Sequence, residues 1–172
     1  LMNPIFLKEA VESSEIENIN TTLLEVLQRQ VSPNIEERSS SQLVVNYIFA
    51  TVWGLEKSKQ LGMTSRLIRG IQHKLLPTGT EGFRRLPVVI GDGRGKVHYT
   101  PPDANDIPEL ISDWEHLVNN TKGVDTLVLA AAAHYQFEAI HPFEDGNGRT
   151  GRMLMTLQLV DAGLIDFPVV HI

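Results

Sequence analysis

Residues 124–152 read VDTLVLAAAAHYQFEAI followed by HPFEDGNGRTGR, and the change of texture at residue 141 organises the whole chain. The first part is apolar on nearly every face, with four consecutive alanines at Ala130 to Ala133. A helix of that kind is expected to be the buried axis of a bundle. The second part opens with a rigid His-Pro-Phe turn and continues into a glycine-rich loop. A last helix is predicted to start near Asn147 and to end near Gly163.

Working outward, helices account for most of the remainder. Asn3-Pro4 reads as an N-cap followed by proline at the first helical position. Ile5 to Glu17 has apolar residues at helical spacing, and Asn18 suits a left-handed helix end. A second helix is predicted over Thr21 to Gln30, stopping before Ser32-Pro33. Ser39, Ser40 and Ser41 offer caps for a helix from about Gln42 to Gln60, whose stripe of Val44, Val45, Ile48, Phe49, Val52 and Leu55 suits a core. Ser65 to Leu76 and Ile107 to Asn119 complete the set. Between those two, Leu86 to Ile90 and Lys96 to Tyr99 flank a turn of Gly91, Asp92, Gly93, Arg94 and Gly95, predicting a small hairpin. Pro87 restricts the first of these runs to an edge. The fold class is all-α, a helical bundle with one small β-hairpin.

Composition narrows the function classes. The chain has 172 residues, 42% of them hydrophobic and 21% charged, enough for one domain with a real core. A formal net charge of −6 argues against a phosphate-backbone binder, so no nucleic-acid partner is expected through this segment. Cysteine is absent, which fits a reducing cytoplasm. The longest apolar run, Leu127 to Ala133, is far short of the roughly 18 residues of a membrane span, so no membrane partner is expected. The chain starts at Leu1 and stops at Ile172 after an apolar stretch, and reads as a piece of something longer.

The loop carries the chemistry. Gly146 and Gly148 remove side chains, so backbone N–H groups can approach a phosphate, and the helix N-terminus adds its dipole there. Arg149 and Arg152 share a helix face beside that opening, where two guanidinium forks suit a polyphosphate. Asp145 is a hard oxygen ligand in the place of a Mg²⁺ that bridges phosphate oxygens. His141 is the group suited to take a hydroxyl proton near neutral pH. This set points to transfer at phosphorus. His134 reads as a core histidine, and His73, His98, His116 and His171 have no ligand spacing.

The segment from His141 to Arg152 resembles the Fic family signature, His-Pro-Phe-x-Asp/Glu-Gly-Asn-Gly-Arg-x-x-Arg, at every fixed position. Phe83-Arg84-Arg85 through Val88-Val89-Ile90-Gly91 resembles the family's target-holding flap, and His134 to Ile140 the helix entering the motif. The resemblance implies one Fic domain over residues 1–172, with an inhibitory helix at about 3–18, a flap hairpin at about 82–100 and a catalytic loop and helix at 141–162. It implies His141 as general base, Asp145 as ligand of Mg²⁺ or Mn²⁺, and a nucleotide site of Gly146, Asn147, Gly148, Arg149, Thr150, Gly151 and Arg152, with Phe143 anchoring the loop. Arg84, Arg85, Val88, Val89 and Ile90 are the implied target-binding residues. The implied reaction moves AMP from ATP to a Tyr, Thr or Ser hydroxyl of a target protein, the chain itself included, and a homodimer is compatible with it. Ser13-Ser14-Glu15-Ile16-Glu17-Asn18 is similar to the family's inhibitory motif, implying that Glu17 pairs with Arg152 and blocks the productive seat of the γ-phosphate. Rival readings are a Doc-like phosphotransferase, disfavoured by Gly148 where that subfamily has lysine, a deAMPylase, and a nucleotide-binding regulatory module joined to a DNA- or partner-binding domain.

Overall fold

A computed structural model describes residues 4–31, 39–92 and 94–169. Asn3, Ser32-Pro33, Gly93 and His171 lie outside them. Among the described residues the chain forms seven α-helices and a two-stranded sheet. The helices are α1 (Pro4–Glu15), α2 (Leu23–Val31), α3 (Ser40–Leu61), α4 (Ser65–Leu75), α5 (Ile107–Asn120), α6 (Thr126–Ile140) and α7 (Asn147–Asp161), with β1 (Ile90–Gly91) and β2 (Val97–Tyr99) between α4 and α5. The all-α class with an inserted hairpin holds.

Local chemistry sets several of these limits. The Ser39 hydroxyl accepts from the N–H of Gln42 and Thr64 does the same for Leu67, closing the starts of α3 and α4. Asp125 caps α6 by accepting from Leu127 and Val128. Asn18 takes φ 59°, the left-handed conformation that ends a helix. Regular helix in α1 stops at Glu15, so Glu17 sits in the turn that follows rather than in the last helical turn. The hairpin is shorter than predicted. Leu86 to Val89 run without sheet partners, and only Ile90 pairs with Tyr99 and Gly91 with Val97, across an irregularity in register.

Two expectations about burial are corrected. Phe49 and Val52, counted in the core stripe of α3, are 60% and 39% exposed, while Tyr47, Thr51, Gly54 and Ser58 are buried instead. The helix is turned by packing against α1, α2, α4 and α7 at once. Helix α6 is not the buried axis. It packs through Ala130, Ala133, Phe137 and Ile140 onto α5 and α7, and Leu127, Val128 and Tyr135 face outward. The central position belongs to α7, ten of whose fifteen residues are buried. Alanines on the inner face of α6 let it lie close to α7, and the Trp114 indole N–H donates to Ala133 O at 2.8 Å across the α5–α6 contact. At the α3–α4 contact, a Cβ on Gly70 would lie 2.1 Å from the Trp53 ring, so only glycine fits there. Among the described residues, no helix is long and apolar enough to cross a membrane.

Candidate active site

The site lies where α6 ends and α7 begins. His141 caps α6 with φ 50° and ψ 60°, left-handed for a residue with a β-carbon. Such a conformation costs about 1–2 kcal/mol and persists only where its surroundings enforce it. Here Arg84 enforces it. Its Nε donates to His141 O at 2.8 Å, its other nitrogens to Pro102 O at 2.7 Å and Leu86 O at 3.1 Å, and its backbone N–H to Pro142 O at 2.8 Å. The sequence expectation that Arg84 faces a target is therefore corrected: its side chain is buried and fills the end of α6. A helix end leaves carbonyls without partners, and the N–H groups of a guanidinium can satisfy several of them at once. That signal was present in the sequence, but it did not distinguish Arg84 from Arg85, which is exposed.

Phe143 is fully buried against Phe83 and Phe137, with ring centroids 5.5 and 6.5 Å away. Its side chain is a core anchor and not a nucleotide contact. Asn147 supports the same loop with its side chain. Its amide accepts from the N–H of Phe143 and donates to Phe143 O, both at 2.9 Å, so it braces the loop from within. Gly146 takes φ 82° and its missing β-carbon would crowd Leu75 and Leu76. Thr150 is fully buried with its hydroxyl unpartnered, and Gly151 lies on the α6 side, where a Cβ would meet Glu138 Oε1 at 2.2 Å. Neither opens to the loop mouth.

The charged groups gather at the start of α7. Arg149 is 2% exposed; its Nη2 approaches Asp145 Oδ1 at 3.4 Å, and its Nε and Nη1 are buried with no partner. Asp145 is exposed and accepts from the N–H of Gly146 at 2.5 Å. Arg152 turns towards α1. Its Nε donates to Ser13 Oγ at 2.8 Å, and its Nη2 to Ser13 O at 2.8 Å and to Glu17 Oε1 at 2.9 Å. A Cβ on Gly148 would lie 2.1 Å from Glu17 Oε1, so the carboxylate rests directly over the glycine-rich turn. Ser13 and the buried Tyr47 behind it, its phenol pushed up to about 12 by burial, extend this contact into α3. No motif or spacing in the sequence singles out Tyr47 for this contact.

Burial holds the His141 imidazole below the usual histidine range. Arg84 pushes the same way, while the nearby Glu138 carbonyl and Glu17 oppose it, and Nδ1 makes no well-formed hydrogen bond. Glu138, beneath Gly151, is raised to about 7 by burial, against the attraction of Arg152 and with the repulsion of Glu17. Val89 is exposed, and Val88 and Ile90 are half-buried along the flap. Among the described residues there is no group of three or more side chains able to hold a metal. A lone exposed carboxylate fits Mg²⁺, which takes one or two carboxylates and completes its shell with substrate phosphates and water.

The sequence profile of the Fic/DOC family matches residues 62–159, and that of the Fic/DOC family N-terminal region matches residues 1–56. The chain belongs to the Fic/DOC family. A "Probable protein adenylyltransferase" of Aquifex aeolicus is 27% identical over 161 residues, 92% of this chain and 49% of that protein. "Protein adenylyltransferase Fic" of Drosophila grimshawi is 40% identical over 83 residues, 47% of this chain and 16% of that protein. The crystal structure of a Fic family protein from Desulfovibrio desulfuricans G20 superposes with a TM-score of 0.75 at 29% identity, covering 92% of this chain and 49% of that one. A Fic domain containing signaling protein from Bacteroides thetaiotaomicron superposes at 0.81 with 19% identity, over 92% of this chain and 63% of that one, a likeness of fold. This Fic/DOC chain thus spans about half the length of its Aquifex relative.

Proposed function

We propose that the chain is the catalytic part of a protein adenylyltransferase, held back by Glu17. The observation that carries the reading is Arg149: a buried guanidinium with two unpartnered nitrogens at the glycine-rich N-terminus of α7, next to a strained histidine. A buried cation without its hydrogen bonds is costly, and a phosphate would satisfy it. The names of the Aquifex and Drosophila relatives support the same chemistry.

In this reading a Tyr, Thr or Ser hydroxyl of a target protein attacks the α-phosphorus of ATP. The bond from that phosphorus to the bridging oxygen breaks, and pyrophosphate leaves with the electron pair. His141 accepts the hydroxyl proton; with Nδ1 buried, Nε2 is the nitrogen left to take it. The N–H groups of the α7 turn and Arg149 stabilise charge on the phosphates. Mg²⁺, held by Asp145, would supply further charge neutralisation when bound. Arg152 would hold the γ-phosphate once released from Ser13 and Glu17. The position of Glu17 over Gly148 supports inhibition, because a carboxylate there repels the incoming phosphates.

Incubation of the purified chain with α-labelled ATP and Mg²⁺ tests this. Label should enter protein, the chain itself included, far faster with Glu17→Gly than with the unaltered chain, and not at all with Glu17→Gly/His141→Ala. Label from γ-labelled ATP instead would mark the phosphotransferase reading. Absence of α-label in Glu17→Gly with its own chain and with lysate targets counts against the proposal.

A further inference from the structure

We propose that the cavity between α4 and the root of the flap binds an acidic segment of the protein that the catalytic loop modifies. This deepens the adenylyl-transfer reading and rests on it for the identity of the partner. The cavity has a volume of about 500 Å³ and is lined by Arg66, Arg69 and His73 of α4 and by Phe83 and Arg85 of the segment that follows. Arg66, Arg69 and His73 stand three and four residues apart and share one helix face. Helix α4 contains no Asp or Glu.

Its charges are uncompensated. Among the described residues, Arg66, Arg69 and Arg85 have no carboxylate within ion-pair distance. Glu81 is the one acidic residue in the lining, against three guanidinium groups. The whole chain carries a net charge of −6, so this concavity is a local reversal of sign. Local fields of this kind select partners of opposite charge and fix their register. Arg69 is also pre-oriented, with its guanidinium carbon 5.8 Å from the Phe83 ring centroid and its Nε donating to Ser65 O at 3.3 Å.

The position ties the cavity to the catalytic loop. Phe83 packs on Phe143, Arg84 holds His141 and Pro142, and Thr80 donates to Glu144 at 2.6 Å. A segment seated here is held at a fixed offset from His141, which raises the effective concentration of a hydroxyl on the same partner. A protein segment fits better than nucleic acid. The basic surface is one pocket rather than a track, and Phe83 is covered by Arg69 and Phe143 and so is not a free stacking platform.

Fluorescence anisotropy of a fluorescein-labelled octaglutamate peptide, in 50 mM salt with the whole chain, tests the assignment. The peptide should bind, an uncharged Gly-Ser octapeptide should not, and Arg66→Gln/Arg85→Gln should weaken binding about tenfold while leaving the Arg69–Phe83 stack intact. Equal affinity in that variant, no binding to the unaltered chain, or tighter binding of single-stranded oligothymidylate of eight nucleotides would each overturn it. The Glu17→Gly/His141→Ala chain should bind the peptide as well as the unaltered chain does. Peptide binding without α-label in Glu17→Gly would count against adenylyl transfer alone, so the two failures are told apart.

Discussion

At the scale of single residues, the left-handed His141 and the buried Arg84 depend on one another. Arg84→Ala would leave the partly buried carbonyls of Leu86, Pro102 and His141 without their donor. The expected loss of stability is about 2–4 kcal/mol, read from denaturant melts. Arg84→Lys should recover little of it, because an ammonium cannot reproduce the planar fork. Labelling by the Arg84→Ala/Glu17→Gly chain should fall with it. The pH profile of Glu17→Gly follows from His141. Its base form persists below the ordinary histidine range, and loss of Glu17 removes one influence that raises its pKa. Activity at subsaturating ATP should therefore hold as pH falls to about 6.5 and decline only below it. A decline centred above that value would contradict the environment described here.

At the scale of elements, the contact of α6 with α7 encloses a carboxyl group. Glu138 Oε1 is buried without a partner beneath Gly151, near Arg152, Glu17 and His134. Its folded-state pKa of about 7 lies above the model-compound value of 4.5, so the folded chain holds this proton more tightly than the unfolded one. The associated stability is complete below about 4.5 and is lost as pH rises through about 7. His134 and His141, both lowered by burial, act in the opposite direction, losing stability as pH falls through the histidine range. Comparing Glu138→Gln with the unaltered chain isolates the carboxyl. The variant should gain on the order of 1–2 kcal/mol at pH 8 relative to its difference at pH 5, seen as a larger rise in Tm. A pH-independent difference would mean that the carboxyl is ionised throughout. A composition apolar on nearly every face predicts that α6 is the buried axis of the bundle. Among the described residues α5 and α7 are the helices packed against it, and Leu127, Val128 and Tyr135 on its outer face stay exposed.

At the scale of the whole molecule, residues from the two ends of the chain meet, since Arg152 of α7 is held by Ser13 and Glu17 at the end of α1. ATP that must displace this contact binds with less net free energy. Under the proposed inhibition, saturating ATP and Mg²⁺ should raise the Tm of Glu17→Gly by several degrees more than that of the unaltered chain. Equal shifts in thermal denaturation would separate the contact from nucleotide binding. Read alone, the sequence determined the helical class, most helix limits, the place of the hairpin and the glycine-rich turn with its arginines. These depend on caps, glycine and periodicity, which act over a few residues. Only the tertiary structure decided that Arg84 turns inward while Arg85 turns out, that the Asn147 side chain braces the loop from inside, and that Phe49 is exposed. Each of those depends on which surfaces distant segments bring to the same place, and local spacing along a chain carries no record of that.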